Sequence, residues 1–279
     1  MERETWRQGG SSVLDGRSED AETVQLQGYN AQKASFSRTI HVKQIGHALL
    51  ELAPFKETYL ITLPSLHIES LLYGNPFVEL NKCSYIVSSS GFVAKIDYSG
   101  KGWVSGKKNS FTASLYRAGQ EKEPIYTAEG QWTDTFTIRD GSKKSAAAVD
   151  SYNAKANPTS QLIVPPLDQQ GPYESHRAWQ HVAAAIRRTD MDTVHIEKSK
   201  IENAQRELRK KEQAEGREWQ RRFFQRLPGP CPTFEQLARV IGERIESDKT
   251  GGVWRFVGDR SEASDSASPA GQAVMSAAI

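Results

Sequence analysis

The stretch Phe92-Val93-Ala94-Lys95-Ile96-Asp97-Tyr98 decides the fold class. Phe92, Ala94, Ile96 and Tyr98 are apolar or aromatic, and Lys95 and Asp97 alternate with them. A period of two belongs to a strand with one dry face and one wet face. The pattern returns downstream, where Phe111, Ala113 and Leu115 alternate with Ser110, Thr112 and Ser114. The breaks are turn chemistry: Tyr73-Gly74-Asn75-Pro76, Ser88-Ser89-Ser90-Gly91, Ser99-Gly100-Lys101-Gly102 and Ser105-Gly106-Lys107-Lys108. From about residue 22 to 139 such signals recur with no helical period between them, so this region predicts an antiparallel meander. A sheet this long tends to curl into a barrel.

On either side the pattern changes. Residues 1–20 are polar and rich in Gly, Ser and charge, the composition of a disordered segment. Residues 140–172 read as a low-order connector, with Asn157-Pro158 and Pro165-Pro166. From Tyr173 the period becomes helical: Ala178, Trp179, Val182, Ala183 and Ile186 share one stripe. Residues 194–226 predict a long charged helix with a thin stripe of Ile201, Ala204 and Leu208, widened by Trp219 and Phe223. The stretch 187–226 holds twelve Lys and Arg against eight Asp and Glu, a local +4. Thr233-Phe234-Glu235-Gln236 resembles a capping box, and Phe234, Leu237, Val240, Ile241 and Ile245 form a further amphipathic face. Residues 258–279 are Ser- and Ala-rich and read as a disordered tail.

Composition narrows the function classes. Over 279 residues, 36 basic and 34 acidic side chains leave +2, which excludes a generic nucleic-acid binder driven by bulk charge. Two cysteines, Cys83 and Cys231, make no disulfide framework and point to a reducing compartment. Met1-Glu2-Arg3-Glu4-Thr5-Trp6 has no apolar run like that of a signal peptide, and no stretch is long and apolar enough to span a bilayer. The expectation is a soluble cytoplasmic protein whose contact with membranes is peripheral.

Catalytic chemistry finds little support. The Gly100–Lys108 run invites a phosphate-loop reading, but Lys108 stands where Ser or Thr would hold magnesium, and no helix follows. Two hairpin turns with exposed lysines fit better. The six histidines make no metal-ligand spacing, and no Gly-x-Ser-x-Gly elbow is present. No enzyme activity, metal or cofactor is expected. Two other constellations are more informative. Lys198, Glu202 and Arg206 stand at i, i+4 and i+8, one stripe with signs plus, minus, plus. They read as ion pairs on a solvated helix, or as an anion-binding row that Lys33 completes if the fold brings it near. Asn30 and Gln44 are uncharged amides in apolar strands, either sheet-end residues or the few polar groups of an apolar cavity.

Several stretches resemble the oxysterol-binding protein family, most closely its short fungal sterol-transfer members. They are Leu26-Gln27-Gly28-Tyr29-Asn30-Ala31-Gln32-Lys33-Ala34-Ser35-Phe36, Val42-Lys43-Gln44-Ile45-Gly46-His47, Pro64-Ser65-Leu66-His67-Ile68-Glu69 and Gly106-Lys107-Lys108-Asn109-Ser110-Phe111. Downstream follow Glu174-Ser175-His176-Arg177-Ala178-Trp179, Gln205-Arg206-Glu207-Leu208-Arg209-Lys210, Trp219-Gln220-Arg221-Arg222-Phe223-Phe224 and finally Trp254-Arg255-Phe256. The resemblance implies one lipid-binding domain over 21–257, mainly β with α: a partial antiparallel β-barrel around a lipid tunnel over 21–140, then a mainly helical part over 173–257. It further implies binding of sterol and its exchange for phosphatidylinositol 4-phosphate between membranes such as the endoplasmic reticulum, Golgi and plasma membrane, by a monomer. Lys198, Glu202, Arg206 and Lys33 then correspond to the headgroup site, and Asn30 and Gln44 to polar residues of the sterol tunnel.

One departure stands out. The family's Glu-Gln-Val-Ser-His-His-Pro-Pro fingerprint does not occur, and the sequence contains no His-His pair. The expectation is an N-terminally incomplete domain. A non-transferring phosphoinositide-sensing regulator or scaffold, or an inactive fragment, is the alternative.

Overall fold

Among the described residues, eleven strands pair antiparallel into one sheet. They are β1 (Gly9–Arg17), β2 (Thr23–Phe36), β3 (Ile40–Leu52), β4 (Glu57–Thr62), β5 (Ser65–Glu69), β6 (Phe77–Ser88), β7 (Phe92–Ser99), β8 (Ser110–Arg117), β9 (Tyr126–Gln131), β10 (Thr135–Asp140) and β11 (Ala148–Asn153). The computed structural model describes residues 9–17, 23–36, 39–70, 74–100, 106–141, 143, 146–159, 164–217, 223–227, 232–242 and 253–256. Spatial order follows chain order from β1 to β11, except that β5 lies off the path and pairs with β3 and β6. This is the meander that the period-two pattern and the turn signals predict.

The chain divides into two units. The sheet unit takes Glu4–Pro165 and Arg226–Trp254, and the helical unit includes Pro166–Gln225. In the sheet unit, α4 (Pro232–Val240) lies against one face of the sheet. Its Phe234, Leu237 and Ala238 pack with Leu49, Leu60, Val87, Val93 and Tyr116. Those five residues, preceded by Gln27, stand directly opposite one another across β2, β3, β4, β6, β7 and β8. All six are buried.

The neighbouring rung is different. Gly28, Ala48, Ile61, Ile86, Ala94 and Leu115 pair across the same strands, one residue along, and therefore face the other way. All are small or apolar and only half-buried. The expectation of one dry and one wet face is thus corrected. Val93, between Phe92 and Ala94, is among the most deeply buried residues. Here both faces of the sheet are apolar, because α4 supplies a second core on the side that alternation assigns to water.

Local chemistry fixes the connections. Glu79 is buried on β6, and both its carboxylate oxygens accept from the Asn109 amide, at 3.1 and 2.9 Å. A Cβ on Gly100 would stand 2.8 Å from that carboxylate, so the exit from β7 requires glycine by close approach. Lys101–Ser105, the centre of the glycine-lysine run, lie outside the described residues.

Several boundary expectations are corrected. Gly9–Arg17, within the segment read as disordered, form β1 and pair in continuous register with Thr23–Ala31. The remainder of 1–20, and 257–279, lie outside the described residues. The connector after 140 contains β11, which pairs with β10. In the helical unit, α1 (Ser175–Ala178) and α2 (Gln180–Arg187) form where the helical period begins, but of the predicted stripe only Val182 is fully buried, together with Ala185 from outside it. Ile186 is 57% exposed and leaves that stripe. The long charged helix is α3 (Met191–Ala214), shorter than the expected 194–226 at its far end. Gly216 follows at φ +63°, the left-handed conformation in which helices commonly terminate. Asp190 caps the start of α3 by accepting from the Thr193 backbone amide at 3.1 Å, and hydrogen bonding from the Thr193 side chain and then from this amide holds its carboxyl below the usual range. The chain then forms β12 (Phe224–Leu227), which pairs with β13 (Val253–Phe256) in a separate two-stranded sheet. Thr233 lies within α4 rather than at its cap. Trp219 and Ile245 fall outside the described residues.

Candidate functional site

The half-buried apolar face carries an amide couple. Asn30 pairs with Gly46 across the β2–β3 ladder, and Gln44 lies two residues along β3, on the same face. Asn30 Nδ2 donates to Gln44 Oε1 at 3.0 Å, and Gln44 Nε2 donates to the Pro64 carbonyl at 2.7 Å. A carbonyl can only accept, so Gln44 must turn its nitrogen to Pro64 and its oxygen to Asn30. Asn30 must then present its own Oδ1 elsewhere. That oxygen is buried and has no hydrogen-bond partner among the described residues.

Leaving a buried acceptor unpaired costs about 1–3 kcal/mol, so this position favours a donor from outside the protein. The backbone opposite Asn30 is held close. Gly46 has φ +126°, and a Cβ there would fall 2.0 Å from the Tyr29 carbonyl oxygen, so no larger residue fits opposite Asn30.

A second polar couple lies on the same face. Ser84 and Tyr98 continue the alternation of Ile86, Ala94 and Ile96, and their hydroxyl oxygens are 2.9 Å apart. Sequence reading missed this couple because Tyr98 was counted with the aromatic members of the period. The available signal was its phenol, a polar group in an otherwise apolar series.

The opposite face holds His47, buried between Phe234 of α4, at 4.0 Å between ring centroids, and Tyr29, at 6.3 Å. Burial lowers its pKa to about 4, so the imidazole is neutral at physiological pH. Tyr29, Ala31 and Ile45 form a second cluster on this face, against which Trp254 packs.

The charged row occupies α3, in the helical unit. Glu202 stands between its two partners: Lys198 Nζ is 3.6 Å from Oε1, and Arg206 Nη2 is 3.9 Å from Oε2. Arg206 also donates to Asn203 Oδ1 at 2.8 Å. Lys198 and Arg206 are exposed and Glu202 is only half-buried, so their ion pairs contribute a few tenths of a kcal/mol at most. Their value is chemical: a guanidinium and an ammonium held on one stripe by a shared carboxylate. Lys33 lies in the sheet unit, exposed and directly opposite Lys43, and alternation assigns it to the face away from Asn30. The structure therefore brings Asn30 to Gln44 and aligns Lys198, Glu202 and Arg206, each group on its own unit. Among the described residues no three His, Cys, Asp or Glu side chains come together as a metal site, and no helix is long and apolar enough to cross a membrane.

Comparison with known proteins decides the family. The oxysterol-binding protein family model matches residues 17–185. The chain belongs to the oxysterol-binding protein family. Protein kes1 of Schizosaccharomyces pombe is 45% identical over 238 residues, which cover 84% of this chain and 60% of that relative. This oxysterol-binding family chain thus spans somewhat less than two thirds of the relative's length. Among solved structures, it resembles the Osh1 ORD domain in complex with cholesterol, with TM-score 0.60 and 16% identity over 88% of this chain and 66% of that one. It also resembles the Osh3 ORD of Saccharomyces cerevisiae in complex with PI(4)P, with TM-score 0.57 and 14% identity over 90% and 64% of the two chains. The antiparallel sheet read from alternation is accordingly the fold shared with those ORD domains.

Proposed function

We propose that this chain binds a sterol on the half-buried apolar face of its sheet and phosphatidylinositol 4-phosphate through α3, and exchanges the two between membranes. The observation that carries the reading is the buried Oδ1 of Asn30, without a partner among the described residues, on the face that carries Gly28, Ala48, Ile61, Ile86, Ala94 and Leu115. A sterol is an apolar body with one hydroxyl, and that hydroxyl is the donor Asn30 lacks. Covering the remaining apolar area supplies the affinity, at about 25 cal/mol per Å² removed from water. The relatives in complex with cholesterol and PI(4)P support the choice of ligands.

Lys198 and Arg206 supply donors to the phosphate by charge-assisted bonds, with Glu202 holding both cations in place. No covalent chemistry is involved, and the protein acts as a monomer in the cytoplasm, touching endoplasmic reticulum, Golgi or plasma membrane peripherally.

Liposome-to-liposome transfer of a fluorescent sterol, with and without phosphatidylinositol 4-phosphate in the acceptor, tests this. Transfer by the wild type that Asn30→Ala slows and phosphoinositide accelerates is the expected result. Headgroup-dependent liposome binding without lipid extraction would instead establish a phosphoinositide-sensing regulator, a reading favoured by the exposed row on α3.

A further inference from the structure

We infer that Ser84 and Tyr98 form a second hydrogen-bonding anchor on the lipid-binding face, selecting lipids that carry a second oxygen set apart from the first by an apolar body. The inference rests on the reading of that face as a lipid site. Its placement follows from register alone. Gly46 and Ala48 share a face on β3, Ala48 opposes Ile61, Ile61 opposes Ile86, and Ser84 lies two residues from Ile86. Ser84 and Tyr98 therefore look out on the same side as Asn30 and Gln44. Counted along the sheet, Asn30 on β2 and Ser84 on β6 are three strand spacings apart, roughly 14 Å.

Packing gives no reason for hydroxyls here. Ser84 is 3% exposed, and its neighbours Ile86, Ala94 and Ile96 are apolar. Burying a hydroxyl among such groups is unfavourable unless it is hydrogen-bonded. The 2.9 Å contact between Ser84 Oγ and Tyr98 Oη uses one of the two hydroxyl protons. No acceptor among the described residues takes the other proton, which is left to be donated to an ester carbonyl or a hydroxyl oxygen of a bound lipid. Burial raises the Tyr98 pKa, an effect the Ser84 hydrogen bond only partly opposes, so the phenol stays protonated and able to donate at neutral pH.

The couple thus distinguishes lipids by chemistry that Asn30 and Gln44 do not read. A sterol with a single hydroxyl satisfies the amide couple and leaves this one alone. A sterol with a further hydroxyl on its side chain, or a diacyl glycerophospholipid with its ester carbonyls, can engage it.

The test measures uptake of three probes from vesicles by the purified full chain: cholesterol, a side-chain-hydroxylated sterol and a dioleoyl glycerophospholipid. Tyr98→Phe removes a single oxygen and should weaken at least one of the two oxygen-rich probes about threefold to tenfold, the range of one hydrogen bond. Cholesterol uptake should stay within about twofold, as a lipid that makes no bond to the phenol. Ser84→Ala should reproduce the pattern, and it serves in place of Tyr98→Phe if that variant does not fold. Equal losses for all three probes, or no loss for any, would overturn the inference. So would a wild type that takes up cholesterol and neither other probe, a result that leaves the proposed function standing. A wild type that takes up none of the three overturns both.

Discussion

Leu60 and Ile61 are adjacent in β4 yet belong to different environments. Leu60 is fully buried, in a rung running from Gln27 to Tyr116 and closed by α4. Ile61 lies in a rung that is equally apolar but only half-buried. One face of the sheet is filled by the protein's own side chains. The other has a comparable supply of apolar surface, two hydrogen-bonding couples and an unpaired acceptor. The difference teaches that apolar content alone does not separate a core from a binding surface. Polar groups do: the α4 face buries a histidine with aromatic neighbours on both sides, whereas the opposite face buries an amide oxygen with no partner among the described residues.

The sharpest way to break this comparison is to truncate each member of the pair. Leu60→Ala should cost about 2–5 kcal/mol of stability in urea unfolding, as a cavity in a closed core. Ile61→Ala should cost less than half as much and instead reduce sterol uptake. Equal destabilisation by both would show that the two faces are energetically alike.

Acid should open the α4 face first. His47 has a folded pKa of about 4 against 6.5 unfolded, so between these values the unfolded chain binds the extra proton. Its contribution is complete above about pH 6.5, is lost as pH falls toward 4, and amounts to at most about 3 kcal/mol. Stability against pH should show that slope in the wild type and lose it in His47→Leu. A matching slope in both proteins would remove His47 as its source.

Smaller effects separate the two proposed ligands. Arg206→Ala should reduce phosphatidylinositol 4-phosphate extraction about tenfold or more, the value of a lost charge-assisted bond, with stability unchanged within about 0.5 kcal/mol. Asn30→Ala should weaken sterol uptake about threefold to tenfold, as one neutral hydrogen bond. Each variant should leave the other ligand's uptake intact; a loss of both by either would merge the sites that the proposal keeps apart.

How far the chain itself carries these conclusions varies with the range of the interaction involved. Alternation through Phe92–Tyr98 and Ser110–Leu115, with turn residues between, was enough to read the antiparallel sheet, since strand period and turn chemistry are local. The stripe of Lys198, Glu202 and Arg206 was likewise legible, because helical spacing is set by the backbone. The same local signals failed at helix and strand ends: α3 stops before a left-handed Gly216, and β1 forms in a segment whose polar composition resembles disorder, because it pairs with β2. Sequence also assigned the faces of β7 incorrectly, as nothing in it shows that α4 would cover Val93 and leave Ala94 half-buried. The coupling of Asn30 to Gln44, the orientation forced on both by the Pro64 carbonyl, and the meeting of Ser84 with Tyr98 depend on register between strands. Which residues alternate is written along the chain, whereas which face is closed and which polar atom is left without a partner arise only when distant segments pack.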